Sequence, residues 1–282
     1  MEILENTVVV KEIATHYYQA GSKGSIIVLL HGGGTDSAHL SWGKLIAPLA
    51  ASGHRVFAPD MPGYGGSERP DIPSTTAFYL DFLKAFLDEL KLENITLMGL
   101  SMGGGIALGF TLENPKRVEK LVLVDSYGLQ RKVAMHFLSW LMVKTPGIMQ
   151  TSMDWMKSSR GAIRWSMGSI MHDKANLTEE LLDELVEESG KPYCGRAFLS
   201  YQRDEVFANS LKTVYIDRLG EIKVPTLLVH GEFDTAVPFA CAQEANQRIV
   251  GSKLEIIPGA GHWPQREKPA EFEKVVTNFL RE

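Results

Sequence analysis

Unbroken apolar runs alternate with amphipathic stretches through the first and last parts of this chain. Ser25-Ile26-Ile27-Val28-Leu29-Leu30 carries no charge and predicts a strand covered on both faces. Arg55-Val56-Phe57-Ala58, Ile95-Thr96-Leu97-Met98, Leu121-Val122-Leu123-Val124, Thr226-Leu227-Leu228-Val229 and Leu254-Glu255-Ile256-Ile257 repeat that signal. The β-branched or aromatic runs at 7–10 and 15–18 predict a hairpin at one sheet edge. Between the runs the period lengthens. Phe78, Phe82, Phe86 and Leu90 fall four apart, with Leu83 and Leu87 beside them, and predict a helix over 75–92. Further helices are predicted over 42–51, 102–112 and 270–280, the last with Phe272, Val275, Val276 and Phe279 on one side. Strands separated by helices imply a mostly parallel sheet with helices on both faces.

From 127 to 215 the strand signal stops. This segment holds seven of the 11 methionines and three of the five tryptophans. A structureless loop of that length is implausible, so it reads as a helical insertion. The expected division is a core of 1–126 with 216–282 and a helical domain over 127–215.

Composition narrows the class. With 282 residues, 44% hydrophobic and 22% charged, the chain is ordinary globular protein and not disordered. A net charge of −5 without blocks of like charge argues against a nucleic-acid partner. Cys194 and Cys241 make no disulfide framework, which fits a reducing compartment. The first residues lack the apolar core of a signal peptide. The longest uncharged apolar stretch, 133–143, is too short for a bilayer. A soluble, cytoplasmic protein with no membrane partner is expected, as a monomer or a homodimer.

Four motifs carry chemistry. Gly99-Leu100-Ser101-Met102-Gly103 follows a predicted strand and opens a predicted helix. A sharp turn there lifts the Ser101 hydroxyl out of the sheet, with the helix N-terminus aimed at the same point. Serine is a weak nucleophile at neutral pH and needs a base oriented by an acid. His262 lies in the loop Pro258-Gly259-Ala260-Gly261-His262-Trp263-Pro264, after the last strand. His31 and His230 each precede a glycine at a strand end and read as loop supports. Asp234 follows a strand and is the candidate acid, with Asp125 its rival and Glu232 a nearby decoy. His31-Gly32-Gly33-Gly34 can offer unobstructed backbone N–H groups of Gly33 or Gly34 to an oxyanion, with the Met102 N–H as second donor. No H-E-x-x-H or Cys/His cluster suggests a metal, and Ser101 chemistry needs no cofactor.

In these motifs, and in Ala58-Pro59-Asp60-Met61-Pro62-Gly63-Tyr64-Gly65-Gly66-Ser67, the chain resembles α/β-hydrolase-fold enzymes with a helical cap over nearly its whole length. The resemblance implies a triad of Ser101, Asp234 and His262. His-Gly-Gly-Gly, Ser-Met-Gly-Gly and His-Trp resemble the carbon–carbon bond hydrolases of meta-cleavage products, and carboxylesterases and lactonases share most features. Those carbon–carbon hydrolases usually carry Asn where this chain has Leu100, and Pro-Gly where it has Thr35-Asp36. The leading expectation is therefore a serine hydrolase of small carboxylic esters acting through an acyl-enzyme. Carbon–carbon hydrolysis and lactone hydrolysis are alternatives, and an inactive ligand receptor is the non-enzyme one. The pocket is expected to involve Trp140, Trp155 and Trp263. Arg196 is the candidate for a substrate carboxylate, with Arg131, Arg160, Arg164 and Arg203 as alternatives.

Overall fold

The computed structural model describes all 282 residues. Eight strands form one sheet: β1 (Leu4–Val10), β2 (Ile13–Ala20), β3 (Ile26–Leu30), β4 (Arg55–Pro59), β5 (Ile95–Leu100), β6 (Val118–Val124), β7 (Thr226–Gly231) and β8 (Lys253–Ile257). Their order is β1-β2-β4-β3-β5-β6-β7-β8. The β1–β2 hairpin sits at one edge and β2 runs antiparallel to β4, while every other pairing is parallel.

The apolar runs are explained by burial on both faces. Val28, Leu30, Leu97, Leu121, Leu123 and Leu228 enter one core layer, under α2 (Thr76–Glu89), α3 (Met102–Glu113) and α9 (Phe239–Arg248). Their neighbours Ile27, Leu29, Met98, Val122, Leu227 and Val229 enter the other, under α1 (Ala38–Ala51) and α11 (Pro269–Arg281). Alternate residues thus face opposite layers, as the period of a strand requires.

Helix α1 begins four residues earlier than the periodicity predicts. Ser37 caps it, its hydroxyl accepting from the Leu40 N–H at 3.3 Å. Between β6 and β7 the chain forms α4 (His136–Lys144), α5 (Ile148–Met156), α6 (Arg160–Met167), α7 (Glu179–Ser189) and α8 (Arg196–Glu205). Ser159 and Thr178 cap α6 and α7. These helices rejoin both layers: Ile163, Met167, Leu182 and Leu185 join the core layer that holds α1, and Ala197 and Tyr201 join the one that holds α2 and α3. A short helix, α10 (Pro264–Glu267), precedes α11. No helix is long and apolar enough to cross a membrane.

Parallel pairing aligns Leu30 with Gly99, Leu100 with Val124 and His230 with Ile256. The carboxyl ends of five strands therefore share one edge, where ligands bind in open α/β sheets.

Candidate active site

Ser101 joins β5 to α3 with φ 49° and ψ −116°, a strained conformation for a residue with a side chain. Glycines make the turn possible. A Cβ on Gly99 would stand 2.2 Å from the Gly103 carbonyl oxygen, and one on Gly103 would stand 2.4 Å from that of His31. The Ser101 N–H donates to Val124 O at 2.9 Å, and its carbonyl accepts from Gly105 and Tyr127 N–H groups. The backbone is over-determined, and Ser101 borders a cavity of about 390 Å³ beneath the inserted helices.

His262 borders the same cavity. Its Nδ1 lies 2.9 Å from Oδ2 of Asp234, so Nδ1–H donates to the carboxylate and Nε2 is the free ring nitrogen. Oδ1 of Asp234 accepts from the N–H groups of Ala236 at 2.7 Å and Val237 at 3.2 Å. Burial works to raise the Asp234 pKa, but His262 and these donors hold it below the usual carboxylate range.

Asp125, at the end of β6, is fully buried beside this pair. Polar atoms of Asp125, Asp234 and His262 all lie within 4.8 Å of one another. Asp125 Oδ1 accepts from the Gly231 N–H at 3.0 Å and lies 3.1 Å from His230 Nδ1. Burial and the charge of Asp234 push the Asp125 pKa well up. Burial lowers that of His230, whose Nε2–H donates to Val237 O at 3.0 Å.

Gly32, Gly33, Gly34 and Met102 also line the cavity. Gly34 has φ +87°, and a Cβ on Gly33 would stand 2.5 Å from the Phe198 ring. Buried Asp36, which sequence reasoning treats only as a departure from a family pattern, anchors this loop. It accepts from the Gly32 N–H at 2.7 Å, the Ser37 N–H at 2.8 Å and the Ser41 hydroxyl. Burial pushes its pKa up to about 7 against the pull of those donors. His31 supports the same loop: Nδ1–H donates to Gly32 O at 2.8 Å and Nε2 accepts from the Met61 N–H at 3.0 Å. Glu267 ties the histidine loop to the inserted helices, accepting from Gly261, His172 and Asp173 N–H groups.

Three residues expected in the pocket lie outside its lining. Trp140 packs against the small cluster of Val143, Val206 and Leu211 and against the Phe137 ring. Trp155 is 53% exposed and meets Trp165 edge-on. Arg196 opens α8 with its side chain in solvent, because the apolar face of that helix, Ala197 and Leu199, turns inward. Trp263 does line the cavity, as do Met149, Met153, Met156 and Met167. The acidic and basic side chains in the lining besides the His262 imidazole are Lys157 and Glu205. Neither stands in a motif, and only the packing of α5 and α8 brings them to the cavity.

Comparison with known proteins agrees with this architecture. Residues 26–269 match the family model of the alpha/beta hydrolase fold, and the chain belongs to that family. It is 31% identical over 276 residues to the 2-hydroxy-6-oxo-6-phenylhexa-2,4-dienoate hydrolase of Comamonas testosteroni, covering 95% of this chain and 91% of that one. It is 30% identical over 273 residues to a 2-hydroxy-6-oxononadienedioate/2-hydroxy-6-oxononatrienedioate hydrolase of Cupriavidus pinatubonensis, with the same coverage of 95% and 91%. The structure of a meta-cleavage product hydrolase from Pseudomonas fluorescens IP01 superposes with a TM-score of 0.82 at 25% identity, covering 98% of this chain and 97% of that one.

Proposed function

We propose that this protein is a serine hydrolase that cleaves a carbon–carbon bond in a 2-hydroxy-6-oxo-dienoate. This reverses the order of the sequence-based expectations, in which esters came first. The observation that carries it is Lys157, a cation in a largely apolar lining shared with Ser101 and His262. Its Nζ donates to Cys194 O at 2.9 Å and faces the exposed Asp154 carboxylate at 3.6 Å, and Cys194 Sγ contacts Thr35 Oγ1 next to Gly34. A substrate carboxylate can pair there, the role first considered for Arg196. Relatives named for dienoate hydrolysis over nearly the whole chain support the same reading.

In this mechanism the dienol substrate first shifts the proton of its 2-hydroxyl to C5, giving a 2,6-dioxo acid. Ser101 Oγ attacks the C6 carbonyl as His262 Nε2 takes its proton, and Asp234 steadies the imidazolium. Backbone N–H groups of Gly33 or Gly34 and of Met102 receive the oxyanion. The C5–C6 bond then breaks. Its electron pair runs through the conjugated chain to the 2-oxo oxygen, which accepts the proton from His262. Water, deprotonated by His262, hydrolyses the acyl-enzyme to a carboxylic acid and frees Ser101. Residues 127–215 act as a cap on the core of 1–126 and 216–282, excluding bulk water. Ester hydrolysis is the second reading, favoured by the apolar lining and the surface position of Arg196.

One paired assay tests this. A phenyl dienoate should give a kcat/KM well above that of the best p-nitrophenyl ester. Lys157→Met should lower dienoate turnover by about 10- to 100-fold, as loss of a charged hydrogen bond does, and ester turnover far less. Esters turned over better than any dienoate would overturn the carbon–carbon reading.

A further inference from the structure

Glu205, the last residue of α8, is 2% exposed and lines the cavity. Its Oε1 accepts from Thr76 Oγ1 at 2.7 Å and Thr213 Oγ1 at 2.8 Å. Its Oε2 accepts from Tyr127 OH and from the Thr213 N–H, both at 2.9 Å. Tyr201 OH lies 3.1 Å from Thr76 Oγ1 and extends the network. All of these partners are neutral. The nearby cation Lys212 is committed to Asp204, at 2.8 Å. A buried carboxylate without a cation is costly, and an apolar side chain would fill an apolar pocket as well. Around it, Gln130, Gln202, Tyr127 and Tyr201 give this part of the lining a polar character that the methionine-lined part lacks.

We propose that Glu205 sets the specificity of the acyl tail: the cavity accepts a substrate whose tail is neutral or cationic and rejects one that ends in a second carboxylate. This rests on the hydrolase reading of the same site and refines its substrate class. Lys157 is the one lysine or arginine in the lining and, beyond its 3.6 Å contact with the exposed Asp154, offers its charge to a single anionic group, whereas Glu205 makes a second unfavourable. At an effective dielectric of about 20, two like charges about 6 Å apart repel enough to change kcat/KM by about a hundredfold. The two kinds of dienoate named for the relatives differ in this feature, one ending in phenyl and the other in a carboxylate.

The test measures kcat/KM of the unmodified protein with 2-hydroxy-6-oxo-6-phenylhexa-2,4-dienoate and with 2-hydroxy-6-oxononadienedioate. The phenyl substrate should be favoured by about 30-fold or more. Glu205→Gln should shrink that ratio about tenfold, mostly by improving the dioate. A dioate within about threefold of the phenyl compound, or a ratio unchanged in folded Glu205→Gln, overturns the proposal. Should that variant not fold, three p-nitrophenyl esters on the unmodified protein decide: hexanoate, 6-aminohexanoate and the mono-ester of adipate. Charge selection predicts the ammonium tail well above the carboxylate tail. A merely apolar pocket rejects both alike, and that result also overturns it. The esters separate the two readings as well. Discrimination among esters with inert dienoates sinks carbon–carbon hydrolysis and leaves Glu205 in place, whereas dienoate turnover without discrimination does the reverse.

Discussion

Asp125 and Asp234 stand side by side in the buried floor beneath His262, the pKa of Asp125 pushed up by burial and by the charge of Asp234, and that of Asp234 held down by His262. Asp234 has the hydrogen bond to the imidazole, and Asp125 is bound to the Gly231 N–H. Two carboxylates so close do not both ionise in a dry site. This geometry supports the proposal of Asp234 as the acid, and two variants test it. Asp234→Asn should cost about 10⁴ in kcat, because an amide holds the wrong imidazole tautomer. Asp125→Asn leaves the Asp234–His262 hydrogen bond in place and should cost less than about tenfold. Steady-state kinetics on the two variants check this, and the opposite ranking would assign the acid to Asp125.

Ser101→Ala should reduce turnover by about 10⁴-fold or more with the melting temperature unchanged or raised, since removing a hydroxyl from a strained turn leaves the packing intact. Turnover above a tenth of the unmodified value would remove Ser101 from the mechanism.

Gly103→Ala should destabilise the fold by about 3 kcal/mol or more. Its Cβ would meet backbone oxygens of His31 at 2.4 Å and Leu30 at 2.5 Å, which cannot move without parting β3 from β5. Chemical denaturation compares it with Gly53→Ala, where the Cβ meets open space and only the positive φ is penalised.

Substrate preference should follow the cavity lining and ignore the exposed tryptophan. Leu211→Ala, which widens the lining beside Val206 and Glu205, should shift the optimum toward bulkier tails, while Trp155→Ala should leave it unchanged. A panel of acyl-chain lengths measured on both variants checks this, and a shift with Trp155→Ala alone would mean that the lining is wrongly drawn.

The loop that braces the glycine run depends on pH through His16 and Asp60. His16 Nδ1 lies 2.8 Å from Asp60 Oδ2, and Asp60 also accepts from Ala38 and Gly66 N–H groups at 2.8 Å. Hydrogen bonding to Asp60 raises the His16 pKa. Burial works to raise that of Asp60, but His16 and the N–H donors bring it below its ordinary value. The histidine contribution is complete below about pH 6.5 and is lost as pH rises through the raised value. That of the carboxylate is present above about pH 4 and is lost as pH falls through the lowered one. The stability gap between the unmodified protein and His16→Asn should therefore be widest near pH 5 to 6 and shrink toward pH 9. Melting curves across that range check it, and a gap that widens toward pH 9 contradicts the pairing.

Much of this molecule is legible along the chain. The apolar runs of β3, β5, β6 and β7 announce strands buried on both faces, and Gly99 and Gly103 announce the turn that presents Ser101. Helix α9 is not announced, because it buries little beyond Ala242 and Ala245 and has almost no apolar stripe to read. Helix α10 is a single turn.

The order Ser101, Asp234, His262, after β5, β7 and β8, is a property of the sequence, because local turn chemistry and strand period determine where each of them leaves the sheet. Which groups meet in the cavity was decided only by the tertiary structure. Asp125 and Asp234 are both acids after strands, and parallel pairing of β6 with β7 sets which one bonds His262. Arg196 and Lys157 are both cations in one helical insertion, and the packing of α5 and α8 turns one outward and the other in. Glu205 carries no motif at all. Its role depends on Thr76, Tyr127 and Thr213 converging from distant parts of the chain, and long-range packing of that kind leaves no periodic trace in a sequence.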